Sequence, residues 1–265
     1  MPAIAMVPLA AGARLSGSKF AAHFAEWDDV ISPPDYDKEK GTLVFEHAGC
    51  IVAIGLMPAP IPGNDLDGPV ATSWLWPEAA EEIGKQRGHL IVTVIDKSEA
   101  MSPVELRKLL TQVTASVVAT TEAVLCVYWP EAGQLIEPDL FVEMARGMLP
   151  DTVPLPLWVD FRVGLVDQES GLSYGFTDGL EKLGLMELVT QNASEPPGEL
   201  RERLINIADY LLDNGMVIQD GHTLGEDASE TITARYGPSP FGHEGQVMEL
   251  DYSTKQKKRG WFGRK

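Results

Sequence analysis

His222 stands in QDGHTLGED, a glycine-punctuated run with acids on both sides. A histidine in that setting could titrate near neutral pH or help to hold a metal; the bland expectation is a turn histidine hydrogen-bonded to a nearby carboxylate. Asp65 and Asp67 offer two hard oxygen donors, but spacing places no third ligand beside them. Thr177 and Asp178 lie among Gly175, Gly179 and Gly184 and read as turn residues. Cys50 and Cys126 sit in apolar, β-branched runs with no Cys or His at metal-ligand spacing, and read as reduced core thiols of a cytoplasmic protein. The sequence holds no Gly-x-Ser-x-Gly elbow, no phosphate-binding Gly-Lys-Ser/Thr loop and no His-Glu-x-x-His pair. No catalytic residue, metal or cofactor is assigned on this basis.

The most unusual stretch is MPAPIPGNDLDG, residues 57–68. Pro58, Pro60 and Pro62 each fix φ and remove a backbone donor. The run is therefore extended, preordered and unable to join a sheet through those positions. Stiffness lowers the entropy lost when a partner docks. One reading is a ledge presented to a partner, with Asp65 and Asp67 adding negative charge and Trp74 and Trp76 adding contact area. The other is a rigid connector, with both tryptophans in the core. The candidate binding set is Pro58, Pro60, Pro62, Asp65, Asp67, Trp74, Trp76 and His222.

Charge narrows the kind of partner. The chain carries 21 basic and 39 acidic side chains, a net of −18. Six of the basic residues fall in the last eleven positions, KQKKRGWFGRK; without them the body is at −24. Such a body repels nucleic acid and anionic membrane and favours a basic protein, although solubility alone also explains it. The tail, 255–265, is expected to be a disordered, solvated terminus, with weak contact to anionic lipid as the alternative. No apolar run is long enough to span a bilayer, so no stable membrane insertion is expected, and the N-terminus lacks the basic residues of a signal peptide.

The elements that must position these residues follow from periodicity. Residues 3–10 have strand composition, and SGSKFAAHFAEW has helical spacing. TLVFEH and CIVAIGLM flank Ala48-Gly49 as a hairpin. ATSWLWPEAAEEIGKQ is predicted to be a helix with Pro77 in its first turn, and HLIVTVID a buried strand. Ser102, Pro103 and Glu105 open a helix whose stripe is Leu106, Leu109, Leu110, Val113 and Val117. AVLCVYW and PLWVDFRVGLV read as strands, and EPDLFVEMARGML as a helix between them. ELRERLINIADYLLDNG is an amphipathic helix ended by Gly215. MVIQDG, ETITARYG and QVMELDY read as short strands. The order suggests an α+β fold of two tandem ferredoxin-like (βαββαβ) halves, with antiparallel or mixed sheets covered by helices. The halves are expected at 1–98 and 99–254, the second with extra hairpins.

The stretches MPAPIPGNDLDGPVATSWLWP, HLIVTVID, DGLEKLGLMELV, NIADYLLDNG and DGHTLG resemble a bacterial family known as domain of unknown function 4261, from about residue 40 to 252. That resemblance implies no activity and no catalytic residues. The T-x-G-L…G-L-x-E-L texture is also similar to suppressor-of-fused-like domains, whose bacterial members include immunity proteins of toxin systems. The expected function is a non-enzymatic protein-binding protein, such as an immunity protein or adaptor of a bacterial toxin or secretion system (type VI among them), with a basic toxin or secretion component as partner. Two other readings stand beside it. One is an enzyme or small-ligand protein with a pocket between the halves lined by Trp74, Trp76 and His222. The other is a scaffold whose tail touches membrane.

Overall fold

The structure, a computed structural model, describes residues 2–11, 14–27, 35–37, 41–62, 64–224 and 232–252. The basic tail and most of the proline-containing loop before residue 41 lie outside the described residues. The chain forms two compact units: residues 1–160 with 182–184, and residues 161–181 with 185–265.

The first unit runs β1 (Ala3–Leu9), α1 (Gly17–Phe24), β2 (Asp35–Asp37), β3 (Thr42–His47), β4 (Cys50–Met57), α2 (Asp67–Thr72), α3 (Ala79–Glu82), β5 (Gly88–Asp96), α4 (Pro103–Thr120), β6 (Val127–Trp129), β7 (Gln134–Ile136), α5 (Pro138–Met148) and α6 (Leu155–Trp158). Its seven strands form one sheet in the order β2-β3-β4-β5-β1-β6-β7, antiparallel throughout. Alternation sorts the two faces. Ala5, Val7, Leu43, Phe45, Val52, Ile54, Val92 and Val94 are buried on one face. Helices α1 and α4 cover that face: Phe20 and Phe24 meet Phe45 at ring-centroid distances of 5.7 and 5.6 Å, and α4 packs on β5 and β1. Ser102 accepts from the Glu105 amide at 3.2 Å, so α4 begins at the expected cap.

The second unit contains β8 (Asp160–Leu165), β9 (Ser173–Asp178), β10 (Leu188–Ala193), α7 (Pro197–Asn214), β11 (Thr223–Leu224), β12 (Ile232–Pro238) and β13 (Gln246–Asp251). Its sheet runs β11-β12-β13-β10-β9-β8, with β10 and β13 parallel. Helix α7 lies on β9 and β10 through Leu200, Leu204, Ala208 and Leu211. Gly175 allows the close approach: a Cβ there would stand 3.0 Å from Leu204 Cδ1 and 3.1 Å from Leu200 Cδ2.

An α+β architecture with two multi-strand sheets is thus what the chain adopts, but several expectations need correcting. In a split β-α-β arrangement the two strands joined by the helix are parallel with one strand between them. Here the strand that follows α1 is β2, and three strands, β5, β4 and β3, stand between it and β1. The boundary expected after residue 98 falls instead near 160, because β6 pairs with β1 and brings α4, β7 and α5 into the first unit. The single helix expected over ATSWLWPEAAEEIGKQ is broken. Ser73 turns extended (ψ 115°) and its hydroxyl bonds the Trp76 carbonyl, so the Trp74–Trp76 segment crosses the core as irregular chain. Strand β6 is shorter than expected: Val124 still bridges to Leu9, but the register against β1 slips by one residue before Tyr128 pairs with Met6. The first part of PLWVDFRVGLV is the short helix α6. Residues 216–221, MVIQDG, expected to be a short strand, form bends and a turn instead.

Candidate functional site

The proline run is a ledge built on the first sheet. Strand β4 ends at Met57, which is 43% exposed, and Pro58, Ala59, Pro60 and Pro62 are exposed after it. Residues 57, 59 and 61 each precede a proline, whose ring disfavours helical backbone there, and the chain bends at 58–59. Ile61 alone turns inward, to 7% exposure, and joins Leu66, Trp76, Ala79, Cys126 and Leu135 in a buried cluster. From below, buried His89 reaches up at the start of β5: its Nδ1 is 2.8 Å from the Ala59 carbonyl oxygen. A carbonyl can only accept, so that nitrogen carries the ring proton and donates. Gly88 makes room beside it. A Cβ on Gly88 would sit 2.9 Å from the Met57 carbonyl oxygen.

The acidic end of the ledge is a turn into α2. The Asp67 amide donates to Asn64 O at 3.0 Å and the Val70 amide to Leu66 O at 2.8 Å. Asp65 and Asp67 are exposed, and Asp67 stands in the first turn of α2, where the helix dipole favours a carboxylate. Tyr128 lies close by. Burial pushes its hydroxyl pKa up, and the Asp65 charge adds to the rise. Trp74 is half-buried, and its Nε1 donates to Asp160 Oδ1 at 3.2 Å. The crevice beside it, lined by residues including Pro69, Thr72, Gln134 and Asp160, has about 160 Å³ of empty space and no room for a water-sized sphere. Trp76 is only 4% exposed, so it supports the ledge from beneath and offers no contact surface. Pro58, Pro60, Pro62, Asp65, Asp67 and Trp74 therefore belong to one stretch of the first unit.

His222 belongs to the second unit and is exposed. Its Nδ1 accepts from the Gln219 amide at 3.2 Å, and its backbone bonds Gln219 O and the Ala234 amide. It is a turn histidine whose ring bonds a backbone amide, where a carboxylate was expected. The neighbouring Asp220 carboxylate instead accepts from the Tyr236 amide at 2.9 Å.

One histidine–serine pair invites a catalytic reading. His23 Nδ1 is 3.0 Å from Ser116 Oγ. Arg146 Nη2 lies 2.7 Å from His23 Nε2 and 2.6 Å from Glu26 Oε2. A guanidinium can only donate, so Nε2 accepts and Nδ1 must hold the proton. His23 then donates to Ser116 Oγ, as does Trp27 Nε1 at 3.0 Å, while the serine hydroxyl donates to Gln112 O at 2.9 Å. A base that already carries its proton on the serine side cannot activate the hydroxyl, so this is a structural clamp joining the end of α1 to α4 and α5. Burial and the Arg146 charge lower the His23 pKa, with Glu26 opposing them. Burial also pushes both cysteine thiols up, away from the reactive thiolate. Among the described residues no group of three His, Cys, Asp or Glu side chains is arranged to hold a metal ion, and no helix is long and apolar enough to cross a membrane.

Sequence reasoning missed two groups of positioning residues. His89 appears only as the start of a strand and Gly88 not at all, because their partners lie about thirty residues earlier in the chain. Glu187 passes as one acid among many. It is 5% exposed, and its carboxylate accepts from Thr177 Oγ1 at 2.7 Å and from the Gly179 and Glu181 amides at 2.9 Å each. Thr177 Oγ1 in turn accepts from the Leu188 amide at 2.8 Å. Thr177 and Asp178, expected as turn residues, are instead the last two residues of β9, and the Glu187 carboxylate ties Thr177 to the turn at Gly179–Glu181.

The chain is an α+β protein of two sheet-based units, the first bearing the exposed proline run with Asp65 and Asp67 after it. Its second unit carries a recognisable domain: residues 176–251 match the family model described as domain of unknown function (DUF4261). The match takes in Thr177, Glu187, α7 and His222, and does not include the proline run at 57–68. No curated protein and no solved structure matches the chain.

Proposed function

We propose that this is a protein-binding module without catalytic activity, which docks a basic protein partner on its proline ledge. The observation that carries the reading is the ledge itself. Pro58, Pro60 and Pro62 face solvent, Ile61 and His89 pin the run from inside, and Asp65 and Asp67 continue it as exposed negative charge. A preordered surface loses little entropy on docking, and carboxylates beside it speed capture of a positively charged partner. The acidic body supports the same choice of partner. In its most concrete form the protein is a cytoplasmic immunity protein or adaptor of a bacterial toxin or secretion system. Two buried, free cysteines fit a reducing compartment.

The test is capture from the native host with the full chain as bait, beside a D65K/D67K variant. The reading predicts a stable basic protein recovered by the parent and lost by the variant. Recovery of no stable partner, or of one that binds both forms equally, refutes it.

A further inference from the structure

Resting on the reading of the ledge as a docking surface, the geometry points to the chemistry of its partner: a groove lined by aromatic side chains and bordered by arginine or lysine, which clasps Pro58, Pro60 and Pro62 side-on. Three features of the ledge lead there.

The first is what the ledge lacks. Prolines 58, 60 and 62 carry no N–H, so a partner strand laid along them would find no donors at alternate positions. Recognition by strand addition is closed over this stretch. What remains is ring surface and carbonyl oxygens, and these are satisfied by flat aromatic faces and by side-chain donors such as indole N–H or tyrosine O–H.

The second is what the ledge turns inward. Ile61 is buried and the Ala59 carbonyl is held by His89, so the chain cannot roll over to hide its rings. The proline rings stay presented without a partner, which is the preorganisation that a clasping groove exploits.

The third is the position of the charge. Asp65 is three residues beyond Pro62 and Asp67 five. Even fully extended chain covers at most about 3.5 Å per residue, so the Cα atoms of Asp65 and Asp67 lie within roughly 11 and 18 Å of that of Pro62. The turn at Asn64–Asp67 brings them nearer. The cations must therefore sit on the rim of the same groove. Exposed rim charges act mainly on the association rate, whereas packed rings set the dissociation rate.

The experiment selects peptides from a randomised library against the immobilised full-length protein and measures the winners by surface plasmon resonance. They are measured against the parent, P58A/P60A and D65N/D67N, with circular dichroism to establish that each variant is folded. The inference predicts peptides enriched in Trp or Tyr together with Arg or Lys. P58A/P60A should weaken them about tenfold, mostly by faster dissociation, since each lost proline restores about two- to fivefold in chain freedom before any ring contact is counted. D65N/D67N should slow association and flatten its salt dependence, leaving dissociation nearly unchanged. Peptides that need the ledge but lack aromatic and basic residues overturn the inference while leaving ledge docking in place. Peptides indifferent to both variants, or no enrichment at all, overturn both.

Discussion

Gly88→Ala separates a ledge that is locked onto the sheet from one that merely passes over it. Gly88 opens β5 with no left-handed backbone requirement, so conformation alone would make alanine the better residue there. In an open strand position the substitution stabilises by about 0.4–1 kcal/mol, because alanine has fewer unfolded conformations to lose. Gly55, on β4 with nothing within 4 Å of its added Cβ, is such a position. At Gly88 the new methyl would stand 2.9 Å from the Met57 carbonyl oxygen, and Pro58 Cα and Ala59 N close the space behind it at 3.9 and 4.0 Å. The obstacle is backbone, so relief requires the root of the ledge to lift. Lifting it strains the His89–Ala59 hydrogen bond and the seat of Ile61. Overpacking of this kind costs about 1–3 kcal/mol. G88A should therefore lose about 1–2 kcal/mol where G55A gains or holds, a difference of sign as well as of size. Urea unfolding followed by tryptophan fluorescence reads mainly the first unit, which holds Trp27, Trp74, Trp76, Trp129 and Trp158, five of the six tryptophans; a W261F background removes the sixth. If G88A proves as stable as G55A, the ledge is not held against β5 and the reasoning fails.

Three further outcomes follow from the same geometry. Arg107 and Glu131 form a two-pronged ion pair at 2.7 and 2.8 Å with side chains 8% and 17% exposed, so E131A should cost about 2–4 kcal/mol in urea unfolding, and R107M/E131L much less, because only the single change strands a buried charge. The His23 pKa is lowered in the folded chain, so the folded state binds fewer protons than the unfolded one just below 6.5. The clamp's contribution should be fully present above that value and fade as pH falls through it toward the folded pKa; a pH series of unfolding midpoints should show this slope, and H23N should remove it. E187Q replaces one acceptor oxygen by an NH₂ facing backbone or hydroxyl donors, and should destabilise the second unit by about 1.5–3 kcal/mol, with faster hydrogen exchange at Gly179 and Glu181 as the local signature.

What could be read from sequence was what neighbouring residues decide. Helix α4 starts at its Ser-Pro-x-Glu cap, the β3–β4 hairpin turns at Ala48-Gly49 (both at positive φ), and α7 stops at Gly215, because each signal acts within a few residues. The order of strands was not legible. Whether β1 pairs with β5 or stands between two other strands depends on contacts some ninety residues apart, which periodicity does not encode. The site divides in the same way. Three prolines and two aspartates announce an extended acidic segment by composition alone. Nothing local says that Trp76 goes inward while Trp74 stays half-buried, since that choice is made by Ile61, Cys126 and Leu135 packing from elsewhere. His89 and Gly88 were invisible for the same reason.

The ledge as a docking surface is tested most directly by placing the photo-crosslinking residue benzoylphenylalanine at Pro60 of the full chain in its native host, and in a parallel strain at Tyr210, an exposed residue of α7. Irradiation should join the Pro60 position to one protein of net positive charge and leave the Tyr210 position without that product. The same product from both positions, or none from Pro60, would contradict the account.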